Sequence, residues 1–157
     1  MNLDTFSTPQ KVVQRMLELA KLQKGEILLD PSAGDGAILS QFPAKQPYMA
    51  VENNPVKCKV LKGKGISVRV GDFLTMEKIK ADVVIMAPPL SVSQGFEHII
   101  HAWEIVSAGG RVVSLVDVNT LKLLENWLVN RPHRSYRLSS TLWKESKGLF
   151  QILVIKK

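Results

Sequence analysis

Seven residues, Asp30-Pro31-Ser32-Ala33-Gly34-Asp35-Gly36, constrain this chain more than any other stretch. They follow Ile27-Leu28-Leu29 and precede Ala37-Ile38-Leu39. A short buried strand stops here, the backbone turns through two glycines one residue apart, and a helix is expected to begin. Glycine tolerates positive φ and lets a ligand approach the backbone closely. A helix start adds unpaired N–H groups and a positive dipole end. The outline is that of a strand–turn–helix nucleotide site, or equally of a plain tight turn.

The elements around the turn decide between these readings. Thr8 and Pro9 read as an N-cap and first helical position, followed by apolar residues at helical spacing (Val12, Val13, Met16, Leu17, Leu19, Ala20) until Gly25. Residues 26–30 form the first strand; the helix after the glycines is short because Pro43 and Pro47 interrupt it. Residues 48–52 form a second strand ending on Glu52, and Asn54-Pro55 opens a helix carrying Val56, Val60 and Leu61 to Gly63. Strand three covers 67–70, and strand four, 82–86, is apolar after its first residue, as in a central parallel strand. A helix over 95–107 is expected to bury Phe96, Ile99, Ile100, Trp103 and Val106 and to end at Gly109-Gly110. Strand five covers 111–116, a helix 120–130, and two strands near 136–143 and 149–155 read as an antiparallel pair. Alternating strands and helices predict an α/β fold with a mostly parallel sheet covered on both faces.

With 157 residues, the chain fits one domain, 1–157, large enough for a substantial core. No apolar run reaches the ~18 residues of a membrane span, the first residues lack a signal-peptide profile, and Cys58 stands alone, so a cytoplasmic protein is expected. The net charge of +7, from 21 Lys and Arg against 14 Asp and Glu, suits a polyanionic partner or a solubilising surface. Lys57, Lys59, Lys62 and Lys64 cluster, as do Arg131, His133, Arg134 and Arg137. His98 and His101 lack a third metal ligand and read as structural or solvent-facing. Trp103, Trp127 and Trp143 read as core or interface anchors, and Asp117 as a cap.

In an open parallel sheet, ligands bind beyond the carboxyl ends of the strands. Strand one ends in Asp30 and the glycine turn. Strand two ends in Glu52, near the ~20-residue spacing at which an acid accepts hydrogen bonds from a ribose. Strand three leads to Asp72-Phe73, a carboxylate and a ring suited to the edge and face of a purine. Strand four runs into Ala87-Pro88-Pro89-Leu90, a stiff lip. Each has a plainer reading: Glu52 as a surface residue, Asp72 as a cap, the prolines as a terminator. A dinucleotide fingerprint is incomplete, because Leu39 stands where a third small residue belongs, and Asp35 would repel a pyrophosphate. A cationic cofactor without phosphate fits the acids better, and S-adenosylmethionine is such a molecule.

The chain resembles the class I S-adenosylmethionine-dependent methyltransferases, above all the adenine-amino DNA methyltransferases of restriction–modification systems, phages and prophages. Phe6-Ser7-Thr8-Pro9 is similar to the family's F-x-T-P segment at the cofactor's methionine part. Asp30 to Gly36 (Asp30, Pro31, Ser32, Ala33, Gly34, Gly36) is similar to its D-P-x-x-G-x-G loop. Glu52, with Asn53, stands at the ribose-binding acid, Asp72-Phe73 at the adenine-binding pair, and Ala87 to Leu90 at the catalytic D/N-P-P-Y/F. The helix with its histidine and closing glycine pair resembles His98 to Gly110. The resemblance implies a Rossmann-like seven-stranded sheet with an antiparallel strand near the C-terminus. It further implies S-adenosyl-L-methionine as cofactor and methyl transfer to the exocyclic amine of adenine in DNA. Two departures fall on the chemistry. Ala87 has no acceptor side chain for the target amine, leaving backbone carbonyls, and Leu90 has no ring for a flipped base; Phe96 is a candidate to supply one. The alternatives are a catalytically impaired module binding cofactor or nucleic acid, and an amino-methyltransferase acting on RNA or protein glutamine. With no separate target-recognition domain, sequence reading would fall to a partner chain or a second copy.

Overall fold

The computed structural model describes residues 7–42, 45–77, 79–146 and 148–157, with Glu145 described by its backbone alone. Phe6 and Pro43 therefore lie outside the described residues. In chain order come α1 (Gln10–Ala20), β1 (Leu28–Asp30), β2 (Tyr48–Glu52), α2 (Pro55–Gly63), β3 (Arg69–Val70), β4 (Ala81–Met86) and α3 (Val92–Ile105). Then follow β5 (Val106–Asp117), α4 (Val118–Leu128), β6 (His133–Arg137) and β7 (Phe150–Lys156). The strands form one seven-stranded sheet in the order β3-β2-β1-β4-β5-β7-β6. β7 enters between β5 and β6 and runs antiparallel to both, while the pairs from β3 to β5 are parallel.

Alternation along the central strands splits the core between the two faces. Leu28, Val83, Ile85, Val113 and Leu115 pack with Val12, Val13 and Met16 of α1. Their neighbours Leu29, Val84, Met86, Val112 and Val116 pack with Ile99 and Ala102 of α3 and Leu124 of α4. Each fully buried aliphatic side chain contributes about 1.5–3 kcal/mol, so these two layers fix the sheet and hence where its carboxyl ends point. Among the described residues no helix is long and apolar enough to cross a membrane.

Several sequence expectations are corrected. Thr8 does not cap α1: Pro9 is the N-cap residue, its carbonyl accepts from the Val12 and Val13 N–H groups, and Thr8 is buried. No α-helix follows the glycine turn; a single 3-10 turn, Leu39–Gln41, stands there, so the turn lacks a helix dipole behind it. On α2 the inward residues are Cys58 and Leu61, whereas Val56 and Val60 are exposed. α3 begins earlier than expected, and Gly109-Gly110 lies inside β5 rather than ending a helix. There β5 bulges against β4, between the pairings Ala81–Val106 and Val83–Arg111. A Cβ on Gly110 would strike the Asp82 carbonyl. β6 is shorter than expected and starts three residues earlier, β7 keeps its expected length shifted by one residue, and a longer connection over 138–149 joins them.

Candidate active site

The carboxyl ends of β1, β2, β3 and β4 converge on one cavity of about 340 Å³, at the low end of the range usual for small-molecule sites. The glycine turn forms its floor. Gly34 and Gly36 have φ of +57° and +86°, and a Cβ on Gly36 would press on Ile66 Cδ1 at 2.8 Å and Leu61 Cδ2 at 3.0 Å. Gly36 thus packs the turn onto the core, whereas Asp30, Pro31, Ser32, Ala33 and Gly34 line the cavity.

Glu52, 7% exposed, ties the turn to β2. Its Oε2 accepts from the Gly34 N–H and its Oε1 from the Asn54 N–H, both at 2.8 Å. Each oxygen keeps a lone pair for a ligand. Asn53 lines the wall beside it. Asp30 is 1% exposed, and its Oδ1 accepts from the Ser32 N–H at 3.3 Å. Its Oδ2 is buried without a hydrogen-bond partner. Burial, reinforced by the charges of Glu52 and Asp35 and only partly opposed by the Ser32 bond, pushes this carboxyl up to about 7. Four carboxylic side chains (Asp30, Asp35, Glu52, Asp72) line the cavity against one ammonium, Lys57, so its field favours a cation.

Asp72 both lines the cavity and accepts from the Leu74 N–H at 3.0 Å, so the cap reading and the site reading coexist. Phe73 also lines it, but its ring is 2% exposed and meets His101 edge-on at 4.7 Å, leaving no open face for stacking on a purine. Ala87, Pro88, Pro89 and Leu90 form the opposite lip. The Ser32 hydroxyl donates to the Ala87 carbonyl at 3.0 Å, locking the turn to this lip and occupying part of the acceptor that Ala87 retains. Phe96 packs into the core layer under α3 rather than at the cavity. Thr8 lines the cavity; Pro9 is held by its capping role, and Phe6 lies outside the described residues.

Sequence reasoning missed Gln94 and His98, which join Ser91 on the cavity wall. The signal was available: positions 91, 94 and 98 share one helical face directly after Pro88-Pro89-Leu90. The Ser91 hydroxyl accepts from the Gln94 N–H at 3.3 Å and starts α3 so that this face turns inward. Among the described residues no group of three or more His, Cys, Asp or Glu is arranged to hold a metal ion.

No family model matches the chain. A protein-lysine N-methyltransferase of Saccharolobus islandicus (strain REY15A) is 33% identical over 91 residues, which cover 50% of this chain and 56% of the relative. The crystal structure of a candidate class I S-adenosylmethionine-dependent methyltransferase of Listeria monocytogenes superposes with a TM-score of 0.75 and 17% identity, over 100% of this chain and 62% of its own. The M protein of the type I restriction enzyme EcoKI superposes with a TM-score of 0.77 and 15% identity, over 100% of this chain and 44% of its own. The chain thus spans about half the length of the curated relative and of the M protein. Strand order and the antiparallel β7 agree with these likenesses: the chain has the fold of the class I S-adenosylmethionine-dependent methyltransferases.

Proposed function

We propose that this chain binds S-adenosyl-L-methionine in the cavity at the strand ends and transfers its methyl group to an amine of a nucleic acid, the exocyclic amine of adenine in DNA first among them. One observation carries the reading. The glycine turn, Glu52, Asp72 and the Ala87–Leu90 lip, drawn from four strand ends, line a single acid-rich cavity. The donor set fits this cofactor: Asp30 Oδ2 is a buried acceptor without a partner, and the surplus of carboxylates suits a sulfonium and an ammonium.

When bound, S-adenosylmethionine supplies an electrophilic methyl group on a sulfonium. The protein's own part is positioning and water exclusion. Asp30 and the turn hold the cationic end, Glu52 and Asn53 the ribose side, and Asp72 the purine edge. The Pro88-Pro89 lip, braced by Ser32, gives an incoming amine a rigid wall. Likeness to the EcoKI M protein and the net charge of +7 support a nucleic-acid acceptor, and a partner chain or second copy would supply target recognition.

A second reading has its own observation. Ala87 offers the target amine no side-chain acceptor, and its carbonyl is shared with Ser32. That favours a module that binds cofactor without transferring methyl. Calorimetric titration with S-adenosylmethionine, followed by incubation of tritiated cofactor with unmethylated DNA, RNA and protein, separates the two. Saturable binding and label in DNA are expected. No binding at millimolar cofactor overturns the cofactor reading. Binding with no label in any acceptor favours the module, as does failure of Ala87→Asn with Leu90→Tyr to raise incorporation. Label in RNA or protein alone reassigns the acceptor.

A further inference from the structure

We infer that His98 reads the purine ring of the cofactor, its Nε2 accepting a hydrogen from the 6-amino group, so that the cavity selects a 6-aminopurine over a 6-oxopurine. The inference rests on the cofactor reading above and gives His98, which the resemblance marks only as the histidine of its helix, a contact with the cofactor.

His98 is 8% exposed and lines the cavity one turn beyond Gln94 on α3. Its Nδ1 lies 2.8 Å from the Gln94 carbonyl oxygen. A carbonyl only accepts, so Nδ1 carries the hydrogen, and in the neutral ring Nε2 holds a lone pair. Nε2 has no hydrogen-bond partner among the described residues and is not one of the fully buried unpaired atoms, so on this cavity-lining side chain it is open to a ligand. Desolvation by burial holds this imidazole below its ordinary value, against the Gln94 bond and the nearby carboxylates Asp72 and Glu97, with His101 reinforcing it. The ring therefore presents an acceptor, not a donor, at neutral pH.

Its place in the cavity gives that acceptor a target. The imidazole packs against Phe73, with centroids 5.7 Å apart, beside the Asp72 carboxylate. Phe73 offers no open face, so a purine here is recognised by its edge. Asp72 Oδ1 is committed to the Leu74 N–H, which leaves its second oxygen available. The wall thus carries two acceptors, Asp72 and His98. An amino group has two hydrogens to satisfy them, whereas a carbonyl at the same position would face two lone pairs.

The test is calorimetric titration at pH 7.5 with S-adenosylhomocysteine and S-inosylhomocysteine, which differ in the 6-substituent and in the hydrogen that N1 gains beside the 6-oxo group, so the His98 variants below are read alongside the wild-type preference. The wild-type protein is expected to bind the adenosyl compound about tenfold or more tightly, the scale of one well-made hydrogen bond. His98→Phe should lose most of that preference, and His98→Gln, which keeps a side-chain acceptor, should retain part of it. In ¹⁵N-labelled wild-type protein the Nε2 resonance should move on adding the adenosyl compound and not the inosyl one. That measurement needs no variant to fold. Equal wild-type affinities, an unmoved Nε2 resonance, or undiminished selectivity in His98→Phe overturns the inference while leaving cofactor binding intact. Binding of neither compound overturns both.

Discussion

A carboxyl group that is 1% exposed, with one oxygen lacking a partner, costs the folded chain free energy whenever it is ionised. Asp30 is that group, and its raised value of about 7, against 3.8 for the free side chain, fixes the sign of the effect. Between pH 3.8 and about 7 the native chain holds a proton that the unfolded chain has released, so stability falls as pH rises through that window. Above it the full penalty applies, of the order of a few kcal/mol. Asp30→Asn removes the titration. Its thermal midpoint relative to wild type should therefore climb by several degrees between pH 4 and pH 8, read by circular dichroism. The same variant should bind S-adenosylmethionine more weakly, because the cation loses its buried counter-charge. A stability difference that does not change with pH would sink this account. A site of this kind trades stability for ligand recognition.

At the scale of elements, Arg111 at the bulge of β5 joins three parts of the chain. Its guanidinium donates to Glu26 Oε1 and Oε2 at 2.8 and 2.7 Å, to the Lys21 carbonyl at 2.9 Å, and through Nε to the Ala20 carbonyl. The last two are carbonyls at the C-terminal end of α1, which a helix leaves unpaired. This bond holds the Glu26 carboxyl below its usual range. Its stabilisation is therefore present above the ordinary carboxylate value and lost as pH falls through the lowered one. Arg111→Ala should cost about 2–3 kcal/mol in urea unfolding at pH 7, and less at pH 3. An equal loss at both pH values would place the effect in packing instead. None of this linkage was legible in the sequence, where Arg111 followed two glycines that read as a helix stop. What was legible depended on local pattern: Asp30 and Glu52 stood out because each ends an apolar run, and Asn54-Pro55 because capping is a short-range device. Which face of α2 turned inward, and where the Phe73 ring went, depended on neighbours distant in sequence. Leu61 of α2 packs in one layer with Val12 and Leu28, and Phe73 is placed by His98 and His101. The helix expected after the glycine turn is cut to one 3-10 turn because Phe42, the residue before Pro43 in the sequence, is extended (ψ 140°), as a residue preceding proline tends to be.

For the whole molecule, charge is segregated: the net balance is +7, yet the cavity is acidic. The excess lies elsewhere, and the sheet shows where one part of it stands. β6 and β5 are both antiparallel to β7, so β6 runs in the direction of β5, and Arg137 reaches the same end of the sheet as Asp117 and the cavity. β6 is an edge strand whose arginines, Arg134 and Arg137, are exposed. A polyanion lying along that edge would reach the Ala87–Leu90 lip without entering the acidic cavity, which is left to the cation. Neutralising two phosphates gives a salt slope of about −1.8 in log K against log [salt] for duplex DNA. Arg134→Glu with Arg137→Glu should therefore flatten the slope by about that amount and weaken binding across all sequences alike. Fluorescence anisotropy with labelled duplex and single-stranded oligonucleotides between 50 and 200 mM salt reads both. The control is Lys59→Glu with Lys62→Glu on α2, at the opposite side of the sheet. If that pair flattens the slope and the β6 pair does not, the nucleic acid lies over α2, and the edge strand is free for a partner chain.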